Sequence, residues 1–412
     1  MSDKKSNVSD TLKAVLKSNT MLFVLVGVMI LFEVLIRITG HGSLFAPANV
    51  TNIIRQNAYV AILATGMLLC ILTGGNIDLS VGSVVALVGA LAGVFIVNWG
   101  WPIWLAVIAC LILGTAIGAF HGFFIAYIHI PPFITTLAGM LLWRGVATIV
   151  LDGKPIAPFP QKYLNLFESY LPGDAEKMGE FEFMGRWVDK YTLIVTLIVT
   201  AIAILAYVIL EIISRRNKIK KNYTVQSRGS FIAKLVVLSV VIFIIGQFLA
   251  RDRGLPVVLI LLGVIIAAYS YFTQNTVPGR YLYAIGGNEK AARLSGVNTN
   301  NVMFFAYTNM GFIAAVAALV TIARMNSAQP TAGQNYEMDA IASCFIGGAS
   351  AYGGTGTVGG AVVGAIFMGV LNNGMSILGV DMNWQRAVKG MVLLAAVIFD
   401  VMSKRKKASK KA

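Results

Sequence analysis

Charged residues are scarce in this chain: they make up 12% of its 412 residues, about half the share found in an ordinary soluble domain. A chain so poor in charge and 57% hydrophobic is not built to face water on all sides. Histidine is nearly as sparse. His41, His121 and His129 lie apart and near the ends of apolar runs, and no Ser/His/Asp or Cys/His arrangement accompanies them. Hydrolytic chemistry has no visible nucleophile system, so an enzyme is not expected. Cys70, Cys110 and Cys344 all sit in apolar runs without metal-ligand spacing and read as small core residues. A G-x-x-x-x-G-K-[ST] phosphate loop is also missing, so ATP is not bound by that route and any hydrolysis must occur on another chain.

What the chain does contain is apolar runs close to the roughly 20 residues that cross a bilayer. They fall near 20–39, 57–73, 81–98, 103–127, 133–151, 191–213, 234–250, 255–272, 303–323, 339–351, 358–377 and 387–402. These are not the alternating ten-residue segments of an outer-membrane barrel. The prediction is an all-α, polytopic transmembrane helical bundle of about 10–12 spans with broken or re-entrant helices, forming one domain over 1–412. Small residues at four-residue intervals, Gly114/Gly118/Gly122, Gly89/Gly93 and Gly360/Gly364, suit close helix packing.

The formal net charge of +15 raises the question of nucleic acid, but the basic residues cluster beside apolar runs. They occupy the N-terminal stretch (Lys4, Lys5, Lys13, Lys17), the loop 214–234 and the tail 403–412. This is the placement produced by the positive-inside rule, so the implied neighbour is membrane lipid and no nucleic acid is expected. With the N-terminus inside as an uncleaved first span, eight crossings place both the 214–234 loop and the segment 273–302 in the cytoplasm. Four more, the short 339–351 run included, return the tail there. The segment 152–190 then faces outward.

Between two apolar runs lies a polar island, PGRYLYAIGGNEKAARLSGVN, from Pro278 to Asn298. Asn288 is a good N-cap, Glu289 falls in the first turn where the helix dipole favours an anion, and Gly296 can supply a left-handed terminus. Glu289 and Arg293, four apart, can pair across a turn. Gly286 and Gly287 allow a sharp entry. A helix of about two turns does not persist alone in water, so docking must help to hold it. The plain alternative is a capped connector.

Other polar groups sit at breaks. GGNIDLSVGS places Asn76, Asp78 and Ser80 between two runs, either on a translocation path or in a capped surface turn. PPFITTLAGMLLWRG carries Thr135 and Thr136, and its Arg144 is expected to snorkel. Asp339 and Ser343 open the short 339–351 run, a half-span of the kind that lines transporter cavities, with capping as the other role for Asp339. Glu33 and Arg37 are expected to satisfy one another. GGTGTVGG contains G-x-G-x-x-G, but no strand precedes it and a membrane run follows, so it reads as a tight turn.

On GGNIDLSVGS, PPFITTLAGMLLWRG, GRYLYAIGGNEKAARLSGVN and YEMDAIASCFIGGASAYGGTGTVGGAVVGA, the chain resembles the permease subunits of bacterial monosaccharide ABC importers, the ribose, xylose and galactose group. Its length looks like the xylose-type branch. The resemblance implies a homodimer of permease chains in the cytoplasmic (inner) membrane, a cytoplasmic ATP-binding subunit that uses the ATP, and a periplasmic or lipid-anchored sugar-binding protein. It also implies that the island is the coupling helix, with Gly286, Gly287, Asn288, Glu289, Ala292, Arg293, Leu294 and Gly296 at the ATPase. No cofactor is expected on this chain. The competing readings are an ion-coupled secondary transporter, which wants clustered mid-span carboxylates, and an ABC permease for a non-sugar substrate.

Overall fold

A computed structural model describes residues 20–173, 180–183, 186–220 and 227–409. The N-terminal lysines, residues 221–226 of the basic loop and residues 410–412 of the tail lie outside the described residues. Helix dominates because a backbone leaving water must pair its N–H and C=O groups within its own segment.

The first run forms α1 (Thr20–Ile38). A bent pair follows, α2 (Pro47–Gln56) and α3 (Ala58–Leu72), meeting at 40°. Next come α4 (Val81–Gly93), prolonged by a π-helical turn at Val94–Asn98, then α5 (Ile103–Ala126) and α6 (Pro132–Val150). Pro132 starts α6 where a missing N–H costs nothing. The segment after α6 holds α7 (Gln161–Phe167), β1 (Tyr170–Leu171) and an antiparallel pair, β2 (Glu180–Phe183) and β3 (Arg186–Asp189). A helical hairpin, α8 (Lys190–Lys220) and α9 (Arg228–Ala250), leads to β4 (Leu255–Pro256), which pairs with β1. Then come α10 (Val257–Asn275), α11 (Val277–Gly287), α12 (Glu289–Leu294), α13 (Thr299–Met325), α14 (Tyr336–Ile346), α15 (Val358–Ile377) and α16 (Met382–Ser409).

Among the described residues, nine helices are long and apolar enough to cross a membrane, ten if α2 and α3 count as one span. The twelve expected runs are all helical, but two fall short of that measure. α14 has 11 residues, about 16 Å of helix, half a bilayer core. α16 carries Gln385, Arg386 and Lys389 in its first turns.

The core is built on α3 and α13. α3 is apolar all round, and every residue from Val60 to Leu72 is buried. α13 lies against α5 through the predicted glycines: a Cβ on Gly114 or Gly118 would run into the backbone of Gly311 or the Tyr307 carbonyl. The segment around α7 is clamped over the C-terminal end of α13, with Tyr163 Oη donating to Leu319 O (2.8 Å) and the Phe159 N–H to Asn326 Oδ1 (2.9 Å). The α8–α9 hairpin stays peripheral, and its exposed Ile198, Ile202, Val236 and Val237 suit lipid contact.

Candidate functional site

The polar island folds as two helices. Thr276 caps α11 by accepting from the Gly279 N–H (3.1 Å), and Pro278 lies in its first turn. Gly286 and Gly287 are the last residues of this helix, and the sharp entry to the next is made at Asn288 instead. The chain then turns at an extended Asn288, whose Oδ1 accepts from the Ala291 N–H (3.0 Å) and caps α12 as expected. Gly296, at φ +85°, terminates it in the left-handed region. Ala292 is buried beneath the helix, while Glu289, Lys290 and Arg293 are exposed and Leu294 is 90% exposed. Glu289 and Arg293 form no ion pair. A solvated pair four residues apart gains only a few tenths of a kcal/mol, so water competes successfully.

The island is latched to the helix breaks. Tyr283 Oη donates to Gly356 O (3.0 Å), and the Gly354 N–H donates to Leu72 O (3.1 Å) at the end of α3. Gly286 is wedged between these groups, and a Cβ there would overlap both Leu72 O and Gly354 N. The two breaks also touch each other, since a Cβ on Gly75 would overlap Ala351 O. α11 thus packs directly against the end of α3 and the 347–357 turn.

At the first break, Asp78 and Ser80 are buried. Asp78 Oδ1 accepts from the Ser80 N–H (2.8 Å) and Oγ (2.6 Å), closing a buried turn before α4, whose N-cap, Ser80, makes no side-chain capping bond. His121 of α5 joins them, with Nδ1 3.2 Å from Ser80 Oγ, and its Nε2 accepts from Trp143 Nε1 at 2.9 Å. A nitrogen that accepts carries no proton, so Nδ1–H donates to Ser80 Oγ, which donates to Asp78. Sequence reading set His121 aside as one of three scattered histidines. Its flanking Gly118 and Gly122 mark a face packed on α13, and an ionisable group there was the available signal. Asn76 is half-buried at the same break, 3.3 Å from Thr73 Oγ1.

The second polar centre surrounds Asp339. It sits inside α14, 1% exposed, and does not cap that helix. Tyr59 Oη donates to its Oδ2 (2.6 Å), and Lys389 Nζ of α16 lies 3.0 Å from Oδ1. The Tyr59 ring stacks on Tyr336 with centroids 3.6 Å apart. The carboxylates of Asp78 and Asp339, expected near run ends, thus lie in the interior. Asp339 is neutralised by a lysine, so it does not offer the uncompensated charge that ion coupling needs.

The other candidates bond within their own helices. Ser343 Oγ donates to Asp339 O (2.6 Å) and Thr136 Oγ1 to Pro132 O (2.9 Å), with Thr135 directed to Pro131 O. Such bonds to the preceding turn satisfy a hydroxyl inside a helix. Arg144 does not snorkel: it donates to the carbonyls of Pro330 and Ala332 and pins the loop before α14. Glu33 pairs with Arg37 as expected and also takes Ser43 Oγ and the Leu44 N–H.

A helical bundle with buried polar breaks, joined to a short exposed helix that lies outside its spans, defines a membrane transport subunit. The comparisons make this specific. The family model described as "Branched-chain amino acid transport system / permease component" matches residues 49–170 and 184–397, and the chain belongs to that family. It is 34% identical to the xylose transport system permease protein of Escherichia coli strain K12, over 98% of this chain and 99% of the relative. It is 34% identical to the corresponding protein of Haemophilus influenzae, over 94% and 96%. Identity to the ribose import permease protein of Escherichia coli strain K12 is 35%, over 87% of each chain. No solved structure matches the chain.

Proposed function

We propose that this chain is the membrane-spanning permease subunit of an ATP-driven importer that carries a monosaccharide across the cytoplasmic membrane. The xylose and ribose permeases to which it is similar support the substrate class, and their membership of such importers supports a separate ATP-binding subunit and a substrate-binding protein. Two copies of the chain enclose the path, and the basic tail and island face the cytoplasm. This chain binds no cofactor, and ATP is used by its partner.

The single observation that carries the mechanism is the island: α12 presents Glu289, Arg293 and a 90% exposed Leu294, while α11 behind it is locked to both helix breaks. An exposed leucine on a charged helix is complementary to an apolar socket with a charged rim, the usual anatomy of a protein contact. Closure of the ATP-binding subunits moves α12, and α11 passes that displacement to α3 and the 347–357 turn.

Leu294→Asp, Glu289→Arg and Arg293→Glu are each expected to abolish ATP-driven uptake of D-xylose or D-ribose while the chain still inserts at normal membrane levels. Loss of co-purification with the ATP-binding subunit accompanies the loss of uptake. Normal uptake by all three variants would remove the coupling role from α12.

A further inference from the structure

We propose that the cavity between the start of α3, the loop before α14 and the start of α16 is a transit site for a neutral polyhydroxylated ligand, a site that rests on the importer reading above. It measures about 320 Å³, at the small end of ligand pockets, which run from about 300 to 1,000 Å³. A second cavity of about 310 Å³, bounded by Met29, Leu44, Ile53 and Leu262, is lined almost entirely by apolar groups and offers a sugar few hydrogen bonds. The two differ in chemistry, not in size.

In the polar cavity, Asp339 and Lys389 cancel each other at 3.0 Å, and the remaining charge, Arg386, is exposed to water. What remains is amide and aromatic. Gln329 makes no side-chain hydrogen bond, and Gln385 uses only Nε2, on Val380 O at 2.8 Å, leaving its carbonyl oxygen open. Amides both donate and accept, as hydroxyls do, so they can read an uncharged polyol in several orientations. Tyr59 and Tyr336 also line the cavity and supply ring surface for the carbon-bound face of a sugar.

Position supports the same assignment. Met325, at the end of α13, borders the cavity, whereas the island precedes the start of that 27-residue helix, so the two sites lie about 40 Å apart along it. α3 connects them directly: Tyr59 in its first turn lines the cavity, and Leu72 O at its last accepts from the Gly354 N–H at the point where Gly286 of the island packs. A site for cargo and a site for drive thus share one buried helix.

The test is uptake of radiolabelled D-xylose and D-ribose by cells carrying the full importer, with membrane levels of the chain measured in parallel. Gln385→Trp fills the cavity and is expected to lower uptake at least about tenfold. Gln329→Leu keeps the volume, removes an amide that has no structural bond, and is expected to reduce uptake by roughly two- to tenfold at low sugar concentration. Wild-type import with unchanged uptake in both variants, at normal levels, overturns the cavity assignment and leaves the importer reading standing. Wild-type import of L-leucine but of neither sugar overturns both.

Discussion

Gly286→Ala is expected to cut uptake sharply without preventing insertion. A Cβ at this position meets the Leu72 carbonyl oxygen and the Gly354 amide nitrogen, both backbone atoms that cannot swing aside. Forcing a methyl group into such a site costs about 1–3 kcal/mol. If that energy falls on the equilibrium between the two states of the latch, it corresponds to roughly a 5- to 150-fold change. The control is Gly263→Ala in α10, where nothing lies within 4 Å of the new Cβ, and where alanine favours the helix by about 1 kcal/mol. Uptake measured for the two variants at equal membrane levels decides the matter. If Gly286→Ala transports like wild type, the island is not mechanically tied to the breaks.

Lys389→Met is expected to be the most destabilising change at the Asp339 centre. It leaves the carboxylate 1% exposed with only the Tyr59 hydroxyl as partner, and stranding one member of a buried pair costs about 3–5 kcal/mol. Asp339→Asn in the same chain should recover most of the loss, because an amide at that place has no net charge to desolvate. Thermal unfolding of the detergent-solubilised single and double variants checks this. Additive losses would mean that the two side chains are not energetically coupled.

Most spans were legible to within a few residues because the bilayer sets their length, and α15 occupies the predicted 358–377 outright, whereas α8, α9, α14 and α16 miss a predicted bound by five to seven residues. The caps of α12 were legible too, since Asn288 and Gly296 act on their immediate neighbours. The polar centres were not. Asp339 meets Tyr59 across 280 positions and Lys389 across 50, and Ser80 meets His121 across 41; no local rule links such residues. Asp78 and Asp339 read as residues at run ends because the helices do break beside them. The breaks lie within protein, so the same residues are buried. The local rule failed at Glu289 and Arg293, where correct spacing produced no pair.

That unpaired set has a practical consequence. Glu289, Lys290 and Arg293 stand in water with no internal partner, so a second protein meeting α12 must complete their electrostatics from its own surface. Ions in solution compete for the same charges, and at 1 M salt their reach shrinks to about 3 Å. The assembled importer therefore calls for isolation in dilute buffer, and a high-salt wash offers a gentle way to strip the membrane subunit bare.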